Sequence, residues 1–239
     1  TPPVSQIVYP INNSNLNILT TVMGTANGRL SGLAKVDVKI SSWSGSGTGW
    51  STVQDWVVTT NSTSSTGNIT VSWTYAIGGG VLKDGTTYQI VSRSSDTAGN
   101  TEITVSTSVF FYDTTIPEVR ITTPVAGWYY SLNRQLSVIS GTSKDNGWSP
   151  SGLARVEIQI SSGSGPVSYY HPGLNGWVVG LSSWVKVEGK SEWTYTLPVI
   201  PWLNGQLFKV EGQSYDVSGN TATVIYSTFT YDTTLPISS

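Results

Sequence analysis

Cysteine is absent from the 239 residues, and its absence excludes several kinds of chemistry. Without thiols the chain has no disulfide, no thiolate nucleophile, and no zinc or iron–sulfur site built on cysteine. The lack of cysteine does not assign the protein to the cytosol, because secreted domains of ordinary size have cores large enough to fold without disulfides. The fold therefore depends on its core and its hydrogen bonds.

Charged residues are also scarce. They make up 11% of the chain, with a formal net charge of −2, against about 25% charged residues in an average soluble protein. The twelve Lys and Arg are scattered, so we expect no nucleic-acid partner. No apolar run approaches the roughly 20 residues of a membrane helix, and we expect no membrane span in this segment.

Groups that carry out catalysis are few as well. The single histidine, His171, lies in a Tyr-Tyr-His-Pro-Gly loop, and no Gly-x-Ser-x-Gly motif accompanies the many serines. The acidic residues stand singly, not as a recognisable glycosidase pair. Gly78-Gly79-Gly80 precedes no helix, and we interpret it as a hairpin connection instead of a phosphate loop. We predict that the chain is not an enzyme.

What the chain does have is a long internal repeat. Residues 31–42 return at 151–162 with conservative changes. Four shorter motifs return in the same order: W-V-V at 56–58 and 177–179, W-T-Y at 73–75 and 193–195, D-x-x-G-N at 96–100 and 216–220, and Y-D-T-T-x-P at 112–117 and 231–236. Matches that keep their order across the whole unit indicate two copies of one domain.

Within each copy the hydrophobic period is two, as Val36, Val38 and Ile40 show by alternating with charged residues. This pattern is typical of half-buried strands, and no segment has a helical apolar stripe. In the first copy we predict seven strands, near residues 4–9, 16–23, 33–42, 54–59, 68–75, 87–95 and 103–112. The pattern favours an all-β fold of two tandem seven-stranded immunoglobulin-like β-sandwiches, with a closed barrel as the alternative.

Both copies contain dipeptides that are typical of turns. Asp84-Gly85 is expected to form a turn, and Tyr88, three residues later, is expected to plug the core as a tyrosine corner. Asn204-Gly205 occupies the same place in the second copy, where Phe208 keeps the apolar plug without a hydroxyl. The Asp of each D-x-x-G-N motif is expected to cap backbone N–H groups of a hairpin turn.

The copies define the predicted domains, residues 1–117 and 118–239. The linker Asp113–Pro117 holds β-branched threonines and a proline, so we expect an end-to-end rod with limited bending. Thr1-Pro2-Pro3 matches the end of this linker, and Leu235–Ser239 matches the start of a further one. Since neither an initiator Met nor a signal peptide is present, we expect an interior segment of a longer array.

From Pro3 to Pro236, the series W-x-Y, D/N-G-x-x-aromatic, D-x-x-G-N and Y-D-T-T-x-P resembles the bacterial immunoglobulin-like (BIg-type) tandem repeats of large surface proteins and adhesins. The resemblance implies an extracellular or cell-surface location, neighbouring Ig-like repeats as partners, and a non-catalytic spacer role in a stalk. Two alternatives stay open: a carbohydrate- or protein-binding accessory module of a secreted multidomain protein, or a subunit of an extracellular filament or surface layer.

The same resemblance implies calcium at domain junctions. Carried over by position, the candidate ligands are Asp96, Asp113, Asp216 and Asp232, with Glu118 and Asp145 as helpers. Calcium takes about six to eight oxygen ligands, and each junction offers few acids, so we expect weak or absent binding. In the competing interpretation these aspartates only cap turns. No other cofactor is expected.

Aromatic residues present in both copies are expected to serve the shared framework. Unrepeated ones in loops are candidates for contact with glycans or with host or partner surface proteins, because a large exposed ring is uncommon without a function. These ligand-contact candidates are Trp43, Trp50, Trp148, Tyr169 and Tyr170. The competing explanation is that they pack over loops or against a neighbouring domain.

Overall fold

The structure, a computed structural model, is nearly all β. It describes residues 1–45, 49–60, 63, 67–163, 167–200 and 202–235. The chain divides into two compact units: unit 1 is Thr1–Thr115 with Gly147–Ser151, and unit 2 is Ile116–Asn146 with Gly152–Ser239. The predicted domain boundary after Pro117 stays a prediction, and residues 236–239 of the predicted second linker lie outside the described residues.

Unit 1 is a β-sandwich with eight strands in its described residues. They are β1 (Val4–Tyr9), β2 (Ser14–Leu16), β3 (Thr21–Asn27), β4 (Leu33–Trp43), β5 (Trp50–Val58), β6 (Thr70–Ala76), β7 (Thr86–Asp96) and β8 (Ser106–Tyr112), with a 3₁₀ helix at Arg29–Ser31. One sheet has the order β1-β3-β6 and the other β2-β8-β7-β4-β5. All neighbours are antiparallel except β2 and β8, which are parallel.

Unit 2 has the same plan with additional short strands. They are β9 (Glu118–Thr123), β10 (Trp128–Tyr130), β11 (Val138–Lys144), β12 (Leu153–Ser162), β13 (Ser168–His171), β14 (Gly176–Val179), β15 (Val185–Lys186), β16 (Glu188–Gly189), β17 (Glu192–Thr196), β18 (Gln206–Asp216) and β19 (Ile225–Tyr231), with a 3₁₀ helix at Pro172–Leu174. One sheet has the order β16-β17-β11-β9. The other has the order β10-β19-β18-β12-β13-β14, and β15 also pairs with β12.

The short helices contribute little to this architecture. Within the part of the chain that the structure describes, none of them has the length and apolar character needed to cross a bilayer. The expectation of an all-β fold is confirmed.

The core of unit 1 follows from the period-two pattern. Val36, Val38 and Ile40 point inward from β4 and are almost fully buried. They share the core with Trp73 of β6, which lies over Gly24 of β3. A Cβ at Gly24 would stand 2.2 Å from Trp73 Cζ2, so this contact requires a residue without a side chain. Unit 2 repeats the arrangement with Trp193 over Gly141, again at 2.2 Å.

The tyrosine corner predicted at Tyr88 is confirmed. Its hydroxyl accepts the backbone N–H of Lys83 at 2.6 Å, and its ring is stacked with Phe110. In unit 2 the same register position holds Phe208, which packs against Trp202 with ring centroids 4.8 Å apart. The plug is therefore common to both units, and the hydroxyl is peculiar to unit 1.

Two expectations from the sequence do not hold. The single strand predicted at 16–23 is divided into β2 and β3, because residues 17–20 carry the chain from one sheet of unit 1 to the other. The shared Trp-Val-Val motif does not serve one framework position either. Trp56 lies under the guanidinium of Arg93, 4.2 Å from the ring centroid, whereas Trp177 packs against the core of unit 2.

Candidate functional site

The aspartates of the two D-x-x-G-N motifs cap hairpin turns. Asp96 accepts hydrogen bonds from the backbone and side-chain nitrogens of Asn100 (2.7 and 2.8 Å) and from the Ser31 hydroxyl (2.8 Å). Asp216 accepts the same two bonds from Asn220 (2.8 and 2.7 Å). The predicted capping is confirmed. In unit 1, the Asn100 amide is the main cause that lowers the pKa of Asp96.

The other two calcium candidates follow the last strand of each unit. Asp113 is buried, and its carboxylate accepts the backbone N–H of Thr115 at 3.0 Å and that of Ser151 at 2.8 Å. Asp232, which is partly exposed, accepts the N–H of Thr234 at 2.8 Å. Both side chains thus bond to the residue two positions along the chain, a local turn of the kind that Asp favours.

Unit 2 adds a second carboxylate beside its capped turn. Oxygens of Asp145 and Asp216 lie within 4.8 Å of each other, and Asp145 accepts the N–H of Gly152 at 2.6 Å. In unit 1 the position of Asp145 is Gly28, four residues after the glycine under the buried tryptophan. Two carboxylates supply only part of a calcium coordination shell, and both already accept protein hydrogen bonds. Calcium binding stays a prediction.

The neighbouring tyrosines of β13 have different environments. Tyr169 is half-buried, whereas Tyr170 is 1% exposed and belongs to the core of unit 2. The Tyr170 hydroxyl donates to Asn175 Oδ1 at 2.7 Å, and burial raises the pKa of Tyr170. Since successive side chains of a strand point to opposite faces, only one of the pair faces the core. Tyr170 is therefore corrected from a ligand-contact candidate to a core residue.

Trp148 is the most exposed tryptophan of the described residues, at 99%. It belongs to the segment Gly147–Ser151 of unit 1, in which Ser149 approaches Gly85. Its ring has no wall around it, so Trp148 by itself forms no cavity for a ligand.

Trp43 and Trp50 form a pair at the end of the β4–β5 hairpin. They are direct cross-strand neighbours, and their rings meet edge to face with centroids 5.4 Å apart. Ser44 closes the hairpin through bonds from its backbone N–H and its hydroxyl to the carbonyl of Gly49. Trp43 remains 49% exposed, so Trp50 fixes the ring without covering it.

A cleft opens beside Trp43. Its volume is about 590 Å³, and its lining includes Gly79, Gly80 and Lys83. This segment connects β6 to β7. Sequence reasoning identified Trp43 but took the glycines only as a connection. The available signal was the comparison of copies: Gly79-Gly80 stands where the second copy has Val199-Ile200, 120 positions later.

His171, the single histidine, contacts the main chain. Its Nε2 atom lies 2.8 Å from the carbonyl oxygen of Leu181, a main-chain contact that holds the loop after β13. The acids at the turns accept bonds from backbone and amide groups of their own turns. Among the described residues, His171 and the turn aspartates thus make contacts that hold loops and turns.

Comparisons with known proteins give weak likenesses. No protein-family model matches the chain, and no curated protein matches it. Among solved structures it is similar to the fibronectin(III)-like modules of Clostridium thermocellum CbhA, with 14% identity, a TM-score of 0.47, and coverage of 96% of this chain and 95% of that chain.

Two adhesin structures are also similar. One is a tetra-tandem repeat in the extending region of a large adhesion protein, with 17% identity, a TM-score of 0.32, and coverage of 95% of this chain and 49% of that one. The other is a 1.5-MDa bacterial ice-binding adhesin, with 14% identity, a TM-score of 0.39, and coverage of 98% and 66%. At these values the likenesses carry no argument about function.

Proposed function

We propose that the chain is a non-catalytic structural segment of an extracellular surface protein or adhesin stalk, in which each β-sandwich withstands tension applied along the chain. The extracellular location and the membership of a BIg-type array rest on the sequence resemblance. The role under tension rests on one observation, the parallel pairing of an early and the last strand in both units.

In unit 1 this pair is β2 with β8, in the register Ser14 opposite Phe110 and Leu16 opposite Tyr112. The pairing continues beyond the strands, since the Leu16 carbonyl accepts the N–H of Asp113 at 2.9 Å. Tension between the chain ends pulls the two strands in opposite directions along their length. Because bonds of a β-ladder run across the strands, this pull shears them together instead of opening them one by one.

Unit 2 has the same arrangement. Strand β10 pairs in parallel with β19, from Trp128 opposite Phe229 to Tyr130 opposite Tyr231. The carbonyl of Tyr130 accepts the N–H of Asp232 at 2.9 Å. A device present in both copies, at the places where the chain enters and leaves, supports a mechanical role for the repeat.

Force spectroscopy on the full chain tests this role. Because the chain has no cysteine, Ile116→Cys or Ile103→Cys provides a single handle, and both positions are exposed. Pulling from the N-terminus to residue 116 shears β2 against β8, whereas pulling to residue 103, just before β8, peels the pair from one end. We expect a higher unfolding force in the shearing geometry.

The control is thermal unfolding of both handle variants, which should match the unmodified chain. Equal unfolding forces in the two geometries would contradict the proposed role, because the parallel pair would then contribute no mechanical resistance. A shearing force no greater than that of an unstructured chain would contradict it more strongly.

A further inference from the structure

We propose that the cleft beside Trp43 in unit 1, hereafter the Trp43 cleft, binds a pyranose unit of a polysaccharide. The volume of about 590 Å³ falls within the roughly 300–1,000 Å³ of ligand pockets. The proposal is independent of the mechanical role, because it concerns side chains outside the β2–β8 pair.

The platform for the sugar is already held in place. The edge-to-face contact with Trp50 and the cross-strand register fix the orientation of the Trp43 ring. About half of the ring remains accessible. A side chain that is ordered before binding loses little conformational entropy when the ligand arrives.

The polar groups of the cleft match sugar hydroxyls. Ser42 and Thr86 contribute hydroxyls, which donate and accept, and Lys83 contributes donors. Thr86 Oγ1 donates to the Asp84 carbonyl at 3.2 Å, so its oxygen still accepts a hydrogen bond. The C–H groups on the face of a pyranose carry slight positive charge and fit the negative face of an indole ring. The Trp43 ring would therefore contact the apolar face of the sugar, and the polar side chains would bind its hydroxyls.

The shape of the cleft favours an internal unit of a polymer. Two of its lining residues, Gly79 and Gly80, carry no side chains that would close it. A lining of this kind gives little enclosure to an aliphatic or aromatic ligand, which would need to be surrounded by apolar groups to gain from burial. An open cleft leaves room for the neighbouring units of a polysaccharide.

Unit 2 has different residues in the corresponding region. At the positions 120 residues later, Gly163 replaces Trp43, Val199 and Ile200 replace the glycines, and Trp202 replaces Leu82. Trp202 packs on Phe208 and Ile200 is buried, whereas Val199 is 90% exposed. Because Gly163 offers no aromatic ring for a sugar, we expect one site of this kind among the described residues, in unit 1.

Affinity gel electrophoresis of the full chain tests the proposal, with a soluble β-glucan, a xylan or polygalacturonate cast in the gel. We expect retardation by at least one of them. Trp43→Ala should weaken binding about tenfold or more, as loss of a central aromatic anchor does. Gly79→Val adds a side chain at a position that lines the cleft and should also weaken binding. The backbone accepts this substitution, because a Cβ there meets no atom within 4 Å and φ is not in the left-handed region.

The matched control is Trp148→Ala, which removes an exposed tryptophan outside the cleft and should leave the retardation unchanged. Thermal melting of each variant separates loss of binding from loss of folding. Absence of retardation by all three polymers overturns the proposal, and so does retardation that survives Trp43→Ala. Retardation by polygalacturonate alone that disappears in Lys83→Gln but persists in Trp43→Ala would indicate ionic adsorption and overturn it as well.

Discussion

The two units join their sheets at one position by different chemistry. In unit 1, Glu102 is 7% exposed and lies between the sheets. Its carboxylate accepts the backbone N–H and the hydroxyl of Ser5 (2.8 and 2.6 Å) and those of Ser94 (both 2.9 Å). The Ser5 hydroxyl also lies 2.9 Å from that of Ser92. Four donors satisfy one buried carboxylate.

In unit 2 the corresponding residues are apolar or small. Ala222 takes the place of Glu102, because each donates its N–H to the serine carbonyl eight positions earlier, Ser214 or Ser94. Val119 stands where unit 1 has Ser5, and Gly212 stands where it has Ser92. A Cβ at Gly212 would touch Ile121 and Val119 at 3.5–3.8 Å. The Ser214 hydroxyl, at the position of Ser94, is buried without a hydrogen-bond partner among the described residues.

The difference shows that a buried polar cluster works as a unit. Replacing all of its partners by apolar groups of fitting shape costs little, whereas removing one partner leaves buried donors unsatisfied. Of the four cluster positions, only that of Ser94 and Ser214 is serine in both units, and the Ser214 hydroxyl has no hydrogen-bond partner among the described residues.

The largest effect is expected where the units do not differ, at the glycines under the buried tryptophans. Gly24→Ala and Gly141→Ala each place a Cβ 2.2 Å from a tryptophan ring atom, and each should destabilise its own unit by about 4 kcal/mol or more. Calorimetry should show loss of one unfolding transition per variant, a different one in each case. Gly173→Ala, where a Cβ meets nothing within 4 Å and the backbone is outside the left-handed region, is the milder control; equal damage there would contradict the packing argument.

Glu102→Ala tests the comparison between the polar cluster of unit 1 and its apolar counterpart in unit 2. The substitution leaves the buried Ser94 donors and the partly buried Ser5 donors without their acceptor and should cost unit 1 about 3 kcal/mol in free energy of unfolding. Adding Ser5→Val and Ser92→Gly, which rebuilds the unit 2 version, should recover most of this loss. Chemical denaturation measures both variants. If the triple variant is no more stable than Glu102→Ala alone, the two versions are not equivalent solutions.

The smallest effect concerns the turn before β7 in unit 1 and before β18 in unit 2. Asp84 accepts hydrogen bonds from Thr114 and Thr115, whereas Asn204 accepts the N–H of Thr233 at 2.7 Å. Burial alone would raise the pKa of Asp84, but the threonine hydrogen bonds outweigh it and lower the pKa. A depressed pKa stabilises the folded state above the unfolded pKa, and this stability is lost as the pH falls through the folded pKa.

Unit 1 should therefore lose stability below about pH 4 through Asp84, and Asp84→Asn should remove that part of the acid dependence. Melting temperatures measured from neutral to acid pH check it. Asp96, whose pKa is also lowered, titrates in the same sense and remains in the variant as a background. An unchanged acid dependence in Asp84→Asn would rule out a contribution from this turn.

The sequence predicts features that depend on neighbouring residues in the chain. Alternation along 33–42 predicts β4, and the D-x-x-G-N pattern predicts the capped turns at Asp96 and Asp216, because both follow from local backbone geometry. The parallel pairing of β2 with β8 joins residues almost a hundred positions apart, and no local pattern specifies it.

Site residues show the same limit. The period of two requires Tyr169 and Tyr170 to face opposite ways, but which one faces the core depends on the register with β12, which the sequence of β13 does not contain. Gly79 and Gly80, which line the Trp43 cleft, show the same limit. A missing side chain gives no hydrophobic signal, so only comparison with Val199 and Ile200 draws attention to these positions.

The Asn204-Gly205 turn also determines how the protein ages chemically. Gly205 has no side chain to hinder attack of its backbone nitrogen on the Asn204 side-chain amide carbon, a step that closes a ring and releases ammonia once the hydrogen bond from Gly205 N–H to the Tyr231 carbonyl opens. Asparagine is among the residues most prone to such breakdown. Hydrolysis of the ring that forms yields aspartate or isoaspartate and adds one negative charge. Where aspartate forms, unit 2 acquires the side chain that unit 1 carries at Asp84, so an aged sample becomes acid-sensitive at both turns.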